Sequence, residues 1–110
     1  MRAVVLAAAF SLLPGFALAQ AVTYANRSGT VTTGGTAQVL APAWTGRHGC
    51  VVQNQSAGDL WVSEVGTAAA TQPSIKVPAG NQYLCMSPAS DGALSIFGAT
   101  TAQAFAAREW

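Results

Sequence analysis

"GRHGCVVQNQSAGDLWV", residues 46–62, decides the fold. Cys50-Val51-Val52 and Leu60-Trp61-Val62 are β-branched and aromatic runs, too short for helices, and "QSAGD" between them is made of turn formers. Gly58 can take positive φ, while Asn54, Ser56 and Asp59 can bond their own backbone. The stretch therefore predicts a hairpin, with Cys50–Asn54 and Leu60–Glu64 as its arms. It also holds the chain's single histidine and one of its two cysteines. His48 and Cys50 lie two apart beside Arg47, and residues two apart on a strand point to one side. A zinc site needs about four nitrogen or sulfur ligands when structural, and about three plus water when catalytic. This sequence has one His and two Cys, with its acids scattered. A Cys–His nucleophile needs a base in reach and a group to orient it, and neighbours two apart seldom have that geometry. The expected outcome is a surface histidine at an exposed strand entrance and a disulfide between Cys50 and Cys85.

Outward from this stretch, the same pattern repeats. Ser28–Thr33 and Thr36–Ala41 flank Gly34-Gly35 and predict another hairpin around that two-residue turn. "GTAAATQPS", residues 66–74, predicts a surface loop. In "SIKVPAGNQYLCM", Ile75 to Val77 and Tyr83 to Met86 predict strands joined through Pro78 and Gly80. Gly92–Gly98 predicts a strand with Leu94 and Ile96 on one face. The alanines of "TAQAFAAREW" would suit a helix, but Thr100-Thr101 and the shortness of the run favour a closing strand. The fold class is all-β, an antiparallel β-sandwich of about seven or eight short strands.

The first residues read differently. "MRAVVLAAAFSLLPGFALAQ" has a charge at Arg2, an apolar run from Ala3 to Phe10, a Pro14-Gly15 break and small residues at Ala17 and Ala19. That order predicts a signal peptide over 1–19, an extension over 20–27 and the β-sandwich domain over 28–110. A retained anchor would be at the short end for spanning a bilayer of roughly 30 Å. The expected location is outside the cytoplasm: periplasm, cell surface or medium. An oxidising compartment suits the disulfide. A chain this size buries only about 60–65% of its unfolded surface, so a crosslink matters.

After residue 19, Arg27, Arg47, Lys76 and Arg108 balance Asp59, Glu64, Asp91 and Glu109. No basic patch for nucleic acid results, and no acidic field for cations. No Gly-rich phosphate loop, paired-carboxylate motif or serine triad is legible, so no catalytic residue, cofactor or metal is expected. Asn26-Arg27-Ser28 and Asn54-Gln55-Ser56 match a glycosylation pattern but are better explained as turns. Trp44, Trp61 and Trp110 are the candidate binding residues, because exposed aromatics serve as carbohydrate platforms or partner hot spots. Trp61 alternates with Leu60 and Val62 and suits a core as well. Trp110 can clamp the closing strand or meet a neighbouring subunit.

Four segments taken in order carry a resemblance: "GTVTTGGTAQVLAP" (29–42), "GRHGCVVQNQSAGDLWV" (46–62), "TAAATQPSIKVPAG" (67–80) and "SIFGATTAQAFAAREW" (95–110). Together they resemble a small β-domain recurring in tailed-phage and prophage structural proteins, over residues 28–110. The resemblance implies a non-enzymatic virion accessory part, such as a decoration, spike or fibre-associated module working by symmetric assembly with itself or a larger structural protein. The signal-like leader and the cysteine pair depart from that pattern and point to an exported cell-surface relative. The alternative is a secreted or periplasmic module binding carbohydrate or protein through exposed tryptophans and the 66–74 loop.

Overall fold

The computed structural model describes residues 23–85 and 89–110. The expected signal peptide, and Met86 of the expected return strand, lie outside the described residues. Among the described residues nine strands run in order: β1 (Ala25–Asn26), β2 (Gly29–Thr30), β3 (Gln38–Ala41), β4 (Cys50–Asn54), β5 (Leu60–Ser63), β6 (Ile75–Val77), β7 (Gln82–Cys85), β8 (Leu94–Gly98) and β9 (Ala104–Glu109). No helix occurs among the described residues, and the alanine-rich closing segment is strand β9. Its odd and even positions alternate between buried and more open, so residue spacing overrides alanine's helix preference.

Two antiparallel sheets form a sandwich-like fold. The five-stranded sheet runs β1-β9-β4-β7, with β2 also against β9; the four-stranded sheet runs β3-β8-β5-β6. Two expected hairpins are corrected here. β4 pairs β7 and β9 while β5 pairs β6 and β8, so "QSAGD" is an arch from one sheet to the other. β2 and β3 likewise sit in different sheets, as do β6 and β7. Strand and turn composition looks the same whether the chain doubles back in-plane or crosses over the core. Among the described strands, only β5 and β6 follow one another as in-plane partners, through the 64–74 loop. β1 falls within the segment expected as an extension, yet pairs Ala25 with Glu109 and Asn26 with Arg108.

The core lies between the sheets. Leu60, Val62, Leu94 and Ile96 face Val52, Phe105 and Ala107, all buried. Full burial of each larger aliphatic side chain contributes about 1.5–3 kcal/mol. Cys50 and Cys85 form a disulfide with Cα atoms 4.7 Å apart. They are direct register partners on β4 and β7, so the link lies within one sheet instead of spanning the fold.

The two ends of the sandwich are laced by buried polar side chains. At one end Asn54, fully buried, donates Nδ2 to the carbonyls of Gly58 (2.7 Å) and Val77 (2.8 Å). Its Oδ1 accepts from Ser56 N (2.9 Å) and Ser56 Oγ (2.7 Å). Gln103 completes this end by donating to Ser56 Oγ (3.1 Å) and the Asp59 carbonyl (3.2 Å) while accepting from Thr100 N (3.0 Å). At the other end the Glu109 carboxylate is 1% exposed and meets two arginines. Arg27 donates Nε (3.1 Å) and Nη2 (2.9 Å) to Oε1, and Arg47 donates Nε to Oε2 (2.8 Å). The rest of the buried Arg47 fork goes to the carbonyls of Ser90 and Gly92 (both 2.6 Å) and Pro42 (2.7 Å).

Candidate functional site

The residues singled out by sequence are not brought together. His48 is exposed at the entrance to β4, and its backbone N–H donates to the Trp110 carbonyl (2.6 Å). Cys50 is committed to its disulfide. Trp44 is 36% exposed in the β3–β4 loop. Trp61 is half-buried on the outer face of the four-stranded sheet, opposite Phe97 and Lys76. Trp110 follows β9 at the margin of the other sheet and packs on Tyr24, with ring centroids 5.6 Å apart at 53°. The three tryptophans therefore occupy a loop, one sheet and the margin of the other.

The two outer faces carry the concave surface. On the five-stranded sheet, period-2 alternation turns Ala106 and Arg108 of β9, Val51 and Gln53 of β4, and Gln82 and Leu84 of β7 outward. The registers align them in two rows: Asn26–Arg108–Val51–Leu84 and Ala106–Gln53–Gln82. A depression of about 410 Å³ opens here, with Tyr24, Asn26 and Arg108 on one wall and Gln53 and Gln82 on the other. The Arg108 guanidinium lies 5.4 Å from the centre of the Tyr24 ring, a cation–π distance. Asn26 Oδ1 accepts from Ser28 N (2.9 Å).

The four-stranded sheet carries a groove of about 530 Å³ beside the 64–74 loop. Val39 (65% exposed) and Val65 (73% exposed) line it, and Glu64 is its one charged residue. The Glu64 carboxylate accepts a hydrogen bond from the Tyr83 hydroxyl and another from Ser90 N (3.3 Å). Burial, then the bond to Glu64 and its negative charge, hold the Tyr83 phenol well above its ordinary pKa.

Among the described residues, no three His, Cys, Asp or Glu side chains converge to hold a metal ion. Sequence reasoning missed the Arg47–Glu109 pair, the lacing role of Gln103 and the Tyr24–Arg108 wall. Alternation alone signals that 51 and 53, or 106 and 108, share a face. It does not signal that β4 lies beside β9, because the intervening connections cross between sheets. No protein-family model, curated protein or solved structure matches the chain, and its geometry stands on its own.

Proposed function

We propose that the chain is a non-enzymatic assembly module: a virion accessory of the tailed-phage type, or an exported cell-surface relative of one. It works by self-association through the outer face of its four-stranded sheet. The observation carrying this reading is the groove lined by Val39 and Val65, two aliphatic side chains mostly in solvent. Clustered exposed aliphatics on a small domain mark contact surfaces. The charges after residue 19 balance, so copies meet without net repulsion. The sequence resemblance over residues 28–110 supports the virion context, and the cysteine pair supports an oxidising location.

Size-exclusion chromatography with light scattering on the purified, oxidised protein tests the reading. A defined oligomer is expected, and Val39→Asp with Val65→Asp should return it to monomer. A strict monomer at high concentration overturns self-association. Adjacency of the gene to capsid or tail genes decides between virion and cell-surface settings.

A further inference from the structure

The structure assigns a second site, on the opposite sheet: we infer that the Tyr24–Arg108–Gln53–Gln82 depression binds an acidic saccharide. Three observations converge on that chemistry. The first is charge. Among the described residues, Arg27 and Arg47 both pair with Glu109, and Lys76 lies 3.4 Å from Asp59, so Arg108 is the one arginine or lysine without an acid partner. No acid lies among the residues lining the depression. The Arg108 guanidinium is exposed beside the Tyr24 ring, 5.4 Å from its centre, and a guanidinium fork is the group that pairs with a carboxylate in bidentate fashion.

The second is the set of amides. Gln53 and Gln82 are exposed direct register partners, and among the described residues neither side chain is engaged in a hydrogen bond within the protein. Asn26 lines the same depression, and among the described residues only its Oδ1 is engaged in a side-chain hydrogen bond. Amides offer both a donor and an acceptor, which vicinal hydroxyls satisfy in pairs. The third is the floor. Ala106 and Val51 give a low, apolar surface on which the C–H face of a sugar ring can lie, flanked by the Tyr24 ring. From Arg108 to Gln82 is two interstrand steps and one two-residue step, about 12 Å, enough for more than one ring.

A polyanion such as nucleic acid would need several cations, and this face has one. A protein hot spot sits in a fully desolvated pocket, whereas Tyr24 and Arg108 stand exposed around a low floor of Ala106 and Val51. One carboxylate beside several hydroxyls matches what the residues offer.

Amide-resolved NMR titration of the purified, oxidised protein tests this with an oligogalacturonate, an alginate oligomer and sialyllactose, against a malto-oligosaccharide as the uncharged control. Saturable shifts are expected at residues 24–28, 51–53, 82–84 and 106–108 with at least one acidic sugar. Arg108→Gln should weaken that binding about tenfold, to the level of the control, as loss of a charged hydrogen-bond pair predicts. Gln53→Ala with Gln82→Ala should weaken acidic and neutral sugars alike. Retained dispersion in the spectra shows that these exposed substitutions leave the fold intact. Absence of saturable shifts with every acidic sugar, shifts centred elsewhere, or binding indifferent to Arg108→Gln would overturn the site. Equal affinity for the uncharged control would overturn its acid selectivity. Val39→Asp, on the other sheet, should leave the titration unchanged.

Discussion

Glu109 shows how much one side chain can hold. Its carboxylate joins Arg27, between β1 and β2, to Arg47, whose side chain is fully buried. Glu109→Gln keeps the shape but leaves the Arg47 charge in the interior without a counter-ion, and should cost about 3–5 kcal/mol by urea denaturation. Arg27→Gln should cost only about 1 kcal/mol, because Arg27 is one-third exposed and water screens its half of the pair. Similar losses from both substitutions would contradict this division. Tyr83 supplies the pH dependence. Its folded pKa is raised above the unfolded value, so its contribution is fully present below about pH 10 and is lost as pH rises through the folded value. Alkaline denaturation should therefore show a falling limb above about pH 10 that Tyr83→Phe flattens. An unchanged limb in that variant would assign the loss to other groups. The sequence revealed little of either residue. Glu109 and Tyr83 read as ordinary strand members until the topology sets partners 62 and 19 positions away beside them.

The nine strands are individually ordinary, and their connections make the fold. Strand positions were legible because β-branched and aromatic runs between turn formers bury one face in period two. Strand partners were not, since an arch over the core and a hairpin within a sheet use the same Gly, Asn and Ser residues. What distinguishes them is a buried polar side chain at the corner, and Asn54 is that side chain. With its amide bonded to Gly58 and Val77 and its carbonyl to Ser56, it ties the β4–β5 arch to β6. Asn54→Ala orphans these groups and should cost about 1–3 kcal/mol. Asn54→Asp is the sharper probe. A buried carboxylate would face two carbonyl oxygens and should destabilise more than alanine, whereas a solvated hairpin turn would accept Asp freely. Gly98, at the end of β8, is a second corner constraint. A Cβ there would meet Val31 Cγ2 at 2.8 Å and Leu60 Cδ2 at 2.9 Å, so Gly98→Ala should overpack the core by about 1–3 kcal/mol.

Considered whole, the molecule divides its surface between two sheets with different chemistry. The five-stranded face offers amides and one unpaired arginine; the four-stranded face offers aliphatic groups around a groove. That division separates the two proposed activities and makes assembly measurable through stability. A second copy that binds only folded protein stabilises it by mass action. Protein held a hundredfold above its self-dissociation constant gains roughly 2.7 kcal/mol. For a domain of this size each kcal/mol moves the thermal midpoint by about 4–8 °C, so the midpoint should climb roughly 10 °C or more between dilute and concentrated samples. Val39 and Val65 are largely in solvent, so replacing both with Asp should leave the dilute midpoint in place and abolish its climb. In a two-fold interface each substitution acts twice, which makes even a modest loss per contact visible. A wild-type midpoint that stays flat across a hundredfold dilution series would remove self-association, while a climb that survives both substitutions would move the interface to another face.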